Sequence, residues 1–466
     1  MTQPDSALYD IVIIGGGASG TSLLYTLAHY TNVQRIALLE KYARPGQVNS
    51  KATNNSQTLH VGDIETNYSL DKVRQVKPAA MMVARYANQL PSAERSEILF
   101  PVQKMVLGVG REEVASLEKR FSDLRELFPD LKKLTRADIE QVEPNVVKGR
   151  STEEPIIALC TNQGYGVDFE RLAQSFIDHA KQDKPDLSVR FNSQVESIVF
   201  NADKTYTLNI KDGTSVTTKA LVVNADSYSL LLAKQLGYGQ HFSLIPIAGT
   251  FYFSKKLLNG KVYTVQEPRL PFAAVHGDPD VRVADATRWG PTARFHPVLE
   301  SRNFKTSLDY LRSSGLGNLQ TWVSFFKILL DPVRFKYLLK NMLYELPWIG
   351  TRLFVENVKK IIPTIRASDL QAAEGYGGMR LQRVDTNTHE LQLGEGKIVG
   401  ENSLFNMTPS PGASVCLYNA MRDAEKIMEF LNHTYQFESD RMRQELFNAP
   451  QTHPLDAVSL PEGYAS

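Results

Sequence analysis

The stretch "DIVIIGGGASGTSLLYTLAHY", residues 10–30, restricts the fold more than any other. Ile11 to Ile14 is a short apolar, β-branched run, the pattern of a strand buried on both faces. Gly15, Gly17 and Gly20 follow as G-x-G-x-x-G, with Ala18 and Ser19 inside the turn, and apolar residues then return at helical spacing at Leu23, Leu24 and Leu27. A second strand, Arg35 to Leu39, ends at Glu40, 20 residues after Gly20. Each part has a physical task. Gly15 makes the tight turn, Gly17 lets the backbone approach a pyrophosphate, and Gly20 allows close helix–strand packing. The helix N-terminus offers free N–H groups to phosphates. A carboxylate at Glu40 accepts hydrogen bonds from ribose hydroxyls and argues against a cofactor with a 2′-phosphate. Strand, turn, helix, strand and acid in this order predict a dinucleotide-binding unit.

Later segments read as more of the same unit. "GVDFERLAQSFIDHA" places Asp168 as the N-cap of a helix. "LSVRFNSQVESIVF" and "YTLNIKDGTSVTTKALVVNA" read as strands with a hairpin at Asp212-Gly213. "SLFNMTPSPGASVCLYNAMRDAEKIMEFL" runs from a turn into a helix. The expectation is an α/β (α+β) chain with a discontinuous Rossmann-like domain at 1–70, 148–239 and 364–436. A substrate domain of mixed sheet and helices is expected at 71–147 and 240–363, and a tail at 437–466.

Composition narrows the function classes. The 466 residues carry 52 basic against 51 acidic side chains, a net charge of +1, which gives no bulk-charge argument for nucleic-acid binding. The two cysteines, Cys160 and Cys416, form no C-x-x-C, so neither a metal site nor a redox dithiol is expected, and a reducing, cytoplasmic compartment is the simpler reading. The N-terminus lacks the basic and apolar regions of a secretory signal, and no apolar run reaches the ~20 residues of a membrane span.

The glycine turn with its acid, "NSQTLHVGDIETNY" (55–68), "GYGVDFERL", "GGMRLQ" and "TPSPGAS" together resemble the malate:quinone oxidoreductase family. The resemblance runs from about Asp10 to about Leu431. It implies a D-amino-acid-oxidase-like fold, FAD held non-covalently, and oxidation of a small 2-hydroxy acid, (S)-malate to oxaloacetate. Hydride would pass from C2 to flavin N5, and electrons would go on to membrane quinone. It also implies cofactor contacts from Lys41, Val195, Asn224 and Ala225. One departure stands out. Relatives tend to carry Gly after the Asn-Ala of "VVNA", and this chain has Asp226, whose carboxylate near a pyrophosphate would be repulsive.

The polar loop after the second strand then has a reason. Asn55, Ser56, Gln57 and Thr58 are suited to ribityl hydroxyls and flavin edge atoms. His60 would lie by the ring, and an imidazole near its ordinary pKa of ~6.5 suits the proton of an alcohol. His276, in "AAVHGDP", is the rival base at a strand end. Arg380 follows Gly377 and Gly378 and suits a carboxylate, with Gln382 on the same strand face. Thr292 is a candidate for the second carboxylate. Ser410, Pro411, Gly412, Ala413 and Ser414 are expected to open the final helix and to aim its N-terminus at the flavin.

The segment about 310–350 mixes Trp322, Phe326, Phe335 and Trp348 with Lys327, Arg334, Lys336 and Lys340. It reads either as a core helix pair with a basic outer face or as a surface lying peripherally on an anionic membrane, on the cytoplasmic side. L-lactate and L-2-hydroxyglutarate dehydrogenases or oxidases remain alternatives on the same chemistry. A non-catalytic flavin-binding scaffold is the alternative of another class, and an NAD dehydrogenase is a third.

Overall fold

The computed structural model describes residues 8–448 except 268–269, 271–273, 345, 347–348, 393–394 and 408–410. Three sheets organise the described residues. The first has eight strands, with Leu8–Ile14 paired in parallel to both Ile36–Leu39 and Ser215–Val223. Alternation of side chains decides what covers its faces. Ile11 and Ile13 pack with Leu23, Leu27 and Ile427 of the helices Ala18–Tyr30 and Cys416–Phe430. Val12 and Ile14 face the other way, into a core with Leu208, Leu230 and Phe405. These strand side chains are almost wholly buried, each worth roughly 1.5–3 kcal/mol.

The expected local signals appear in place. Asp168 caps the helix Phe169–Asp183 through the backbone N–H groups of Glu170 and Arg171. The hairpin turns at Gly213, with φ +87°, and Thr214 N–H donates to Asp212.

The second sheet, also of eight strands, runs 371–372, 252–255, 286–290, 276–279, 261–264, 99–109, 156–167, 132–134. The third has four, with Phe242–Ala248 between Arg294–Phe295 and Met379–Asp385.

Sheet membership moves the expected domain boundaries. Ile156–Val167 pairs with Leu99–Val109, so the second sheet extends past position 148. Met379–Asp385 pairs with Phe242–Ala248, so part of 364–436 belongs with the substrate-side sheets. The helix Leu70–Gln89, expected in the substrate part, shares a core with Tyr25, Phe176 and Met421. Hydrogen-bond partners set these groupings, and partners distant in sequence cannot be read from position. The tail is packed at its start: Thr31 bridges to Phe437, Tyr30 donates to Glu445, and Arg85 donates to the carbonyls of Leu446 and Phe447.

Candidate active site

One cavity of about 440 Å³ opens at the carboxyl end of Leu8–Ile14 and runs to the face of the third sheet. Its first end is the glycine turn. Gly15 has φ +108°, and a Cβ there would stand 2.4 Å from the Asn224 carbonyl oxygen. A Cβ on Gly20 would meet the Gly15 carbonyl oxygen at 1.9 Å. A Cβ on Gly17 would meet only Ser50, at 3.2 Å, so that side of the turn is open to a ligand. Glu40 accepts from Gly16 N–H at 2.6 Å and from Tyr42 N–H at 2.8 Å. Burial pushes its carboxyl up against those two bonds.

Lys41, Val195, Asn224 and Ala225 wall this end. Lys41 is also ion-paired with Glu300 and lies 4.0 Å from the Tyr228 ring centroid, a constraint that the sequence did not reveal. Among the described residues the buried Nδ2 of Asn224 has no hydrogen-bond partner, although its Oδ1 accepts from Asn406. Asp226 does not turn away: it lines the cavity at φ +49° and accepts from Asn49 at 2.6 Å. Burial pushes its carboxyl up to about 6, with the Asn49 bond opposing.

The polar loop works differently from the expectation. Its side chains chiefly bind the loop itself. Asn55 Nδ2 donates to the carbonyls of Asn49 and Lys51, and Asn55 Oδ1 accepts from Gln57 N–H. Gln57, fully buried at φ +50°, turns from the cavity, donates to Ala52 and Asp280, and accepts from Val281. Thr58 donates to the Ser56 carbonyl and shares a 2.8 Å bond with the Tyr263 hydroxyl. Amides and hydroxyls thus hold an irregular segment rigid, and Asn55, Ser56 and Thr58 still form cavity wall.

His60 and Arg380 line the far end together. His60 N–H donates to Ser414 Oγ at 3.1 Å, Nδ1 lies 2.6 Å from Glu65, and Nε2 lies 3.1 Å from Ser56 Oγ. Arg380 is bound by no carboxylate among the described residues, and burial lowers its pKa against the phenols of Tyr337, Tyr263 and Tyr68. A half-buried guanidinium on a cavity wall without a counter-ion is suited to an anion, because desolvating an unpaired charge is costly.

His276, the rival base, is not in the cavity wall. It is fully buried, stacked on Tyr263 at 4.3 Å, with Nδ1 on the Ala274 carbonyl at 3.0 Å. Burial pulls it down to about 4, against the nearby Asp278. Thr292 is likewise outside the wall, its hydroxyl bonded to Thr250. Gln382 is buried opposite Ile245, also behind the wall. Pro411, Ala413 and Ser414 do reach the cavity, but as a turn: the helix begins at Cys416, and Val415 N–H bonds back to Gly412. Ser410 lies outside the described residues. Glu65, Tyr68 and Tyr337 were missed, since a lone acid or phenol in sequence has no spacing that marks it.

A long cavity with a glycine cradle at one end, an orphaned amide beside it and polar walls between fits a flavin dinucleotide. The malate:quinone oxidoreductase family model matches residues 7–447. The chain belongs to the malate:quinone oxidoreductase family. It is 41% identical to the malate:quinone oxidoreductase of Helicobacter pylori over 442 residues, covering 92% of this chain and 96% of that one. It is also 41% identical to a probable malate:quinone oxidoreductase of Campylobacter jejuni, covering 94% and 99%. Among solved structures it resembles an FAD-bound L-α-glycerophosphate oxidase from Mycoplasma pneumoniae, with TM-score 0.62, 17% identity and coverage of 92% and 96%. A glycine oxidase from Geobacillus kaustophilus gives TM-score 0.61 at 15% identity, covering 90% and 95%. These last two bear on the fold, which matches the one expected for this malate:quinone oxidoreductase family member.

Proposed function

We propose that the cavity holds FAD non-covalently and oxidises (S)-malate to oxaloacetate at the end formed by His60 and Arg380, with quinone as the electron acceptor. Bound there, FAD would supply the acceptor for the hydride leaving C2 and the route of the electron pair to quinone. Gly15, Gly17, Gly20 and Glu40 cradle the dinucleotide. Asn55, Ser56 and Thr58 shape the wall between. Arg380 grips a substrate carboxylate with two parallel hydrogen bonds. His60 takes the hydroxyl proton at Nε2. The observation that carries this reading is the unpaired guanidinium of Arg380 on the same cavity wall as His60.

The acceptor dissolves in lipid, so the protein meets a bilayer as a peripheral partner. No helix among the described residues is long and apolar enough to cross one. The helices Ser307–Ser314, Leu319–Leu329 and Pro332–Leu343 leave Leu319 76% and Phe326 65% exposed, with Trp322, Phe335 and Met342 beside them. Such exposure does not suit the core-pair alternative. Lys327, Lys336 and Lys340 stand among these side chains, a combination suited to the anionic cytoplasmic leaflet. Trp348 lies outside the described residues.

The test is anaerobic. The yellow protein is mixed separately with L-malate, L-lactate and L-2-hydroxyglutarate, and the oxidised-flavin band is followed. Rapid bleaching with malate, reversed by a soluble quinone, is expected. Bleaching by another acid alone changes the substrate, and bleaching by none overturns the hydroxy-acid reading.

A further inference from the structure

The chemistry proposed for His60 needs one particular imidazole. Nε2 must present a lone pair to the cavity, and the ring must tolerate a positive charge once the proton arrives. The segment His60–Glu65 supplies both conditions. Gly62 has φ +95°, which folds the chain back so that residue 65 returns to residue 60. Glu65 Oε2 accepts from Gly62 N–H at 2.8 Å, which fixes the carboxylate from one side. Its Oε1 stands 2.6 Å from His60 Nδ1. An ionised carboxylate only accepts, so Nδ1 carries the hydrogen and Nε2 is the acceptor. Ser56 hydroxyl donates to that Nε2 at 3.1 Å, from the cavity wall, and so marks the direction of an incoming hydroxyl.

Behind the dyad lies a second pair. Lys104, fully buried, donates to Asp63 at 2.9 Å and to the Leu59 carbonyl at 3.3 Å. Burial opposes ionisation of Glu65, but the hydrogen bond and charge of His60, with the charge of Lys104, outweigh it and hold the carboxyl below its ordinary value. Burial pushes Asp63 the other way, against Lys104. Glu65 thus places a negative charge behind the ring.

We propose that Glu65 is a positioning residue for His60. It fixes the Nδ1–H tautomer, aims Nε2 into the cavity, and stabilises the imidazolium formed when the substrate O–H bond breaks as hydride leaves C2. Glu65 touches neither substrate nor cofactor; it acts through the ring. The inference rests on His60 being the proton acceptor.

The test is flavin reduction by malate under anaerobic stopped-flow conditions, in holoenzyme, from pH 5 to 9. Glu65→Gln keeps the volume and removes the charge. Its limiting reduction rate is expected to fall about 100-fold. Its malate dissociation constant and its flavin content should stay within about threefold of wild type. The acid limb of the rate profile should move to lower pH. Adding Glu65→Gln to His60→Gln should cost less than about threefold, because both remove one function. Flavin absorbance perturbation by succinate, which is not oxidised, gives a readout independent of turnover and should be unchanged in Glu65→Gln. Wild-type rates with an unmoved acid limb, or full additivity with His60→Gln, would overturn the proposal. Should Glu65→Gln lose its flavin, Glu65→Asp decides. A slowed rate with the acid limb in place supports positioning, and a wild-type rate overturns it. His60→Gln at wild-type rate sinks the proton-acceptor reading itself, a separate outcome.

Discussion

Two arginines stand on the substrate side of the fold in opposite electrostatic conditions. Arg288, wholly inaccessible, donates to Asp278 at 2.8 Å, pairs with Asp280 at 3.3 Å, and also donates to the Asn55 carbonyl. Burial would lower its pKa, but the two aspartates raise it. Arg380, half-buried on the cavity wall, has only phenols around it, and desolvation lowers its pKa. The two histidines differ in placement: His276 is sealed behind the wall near Asp278, whereas His60 faces the cavity with Glu65 behind it. Charges that are paired hold the second sheet to the polar loop. A charge left unpaired at a cavity is available to a ligand.

The largest effect expected is on stability. Arg288→Met leaves Asp278 with only the Lys261 ammonium and Asp280 without its guanidinium, and should cost about 3–5 kcal/mol in denaturant unfolding. Arg380→Met removes an uncompensated charge and should leave stability level or higher. Its loss appears instead in flavin reduction by malate, about 2–5 kcal/mol, or roughly 30-fold to several-thousand-fold. Equal stability losses in the two variants would break the contrast.

His276 sharpens it through pH. Its value of about 4 in the folded chain lies below the ordinary 6.5, so the unfolded chain binds the proton more readily. The stability it contributes is full above pH 6.5 and is lost as pH falls towards 4. His276→Gln should flatten that acid loss, of the order of 2–3 kcal/mol, with malate oxidation largely retained. A collapse of malate oxidation in this variant would return His276 to the candidate bases.

Asp226 runs in the opposite sense. Its value of about 6 exceeds the ordinary 3.8, so its contribution to stability is present at low pH and is lost as pH rises through 6. Above that pH its charge should also repel the pyrophosphate by about 1–2 kcal/mol. FAD dissociation followed by flavin fluorescence should tighten in Asp226→Asn above pH 6 and converge with wild type below it. The smallest effect is at the apolar face, where Lys327→Glu or Lys336→Glu should each cost about 1 kcal/mol of binding to anionic vesicles. Unchanged vesicle binding in the double variant would remove this face from the membrane reading.

Local order made much of the nucleotide half legible. The β-branched run at Ile11–Ile14, the glycines and Glu40 each act on neighbours close in the chain, so spacing reports them. Asp168 as a cap and Asp212-Gly213 as a turn are equally local. The loop at 55–58 shows where that reasoning stops. Its polar composition was plain, but whether those amides face a ligand or one another depends on Asn49, Asp280 and Val281, which come from two separate parts of the chain.

The residues 10–40 alone therefore determined a dinucleotide fold and its phosphate end, because a tight turn and a helix terminus are local physics. The tertiary structure decided the rest. It sealed His276 behind Tyr263, tied Thr292 to Thr250, and left Arg380 without a carboxylate among the described residues. Burial and pairing are properties of the packed chain, and neither is written at a single position.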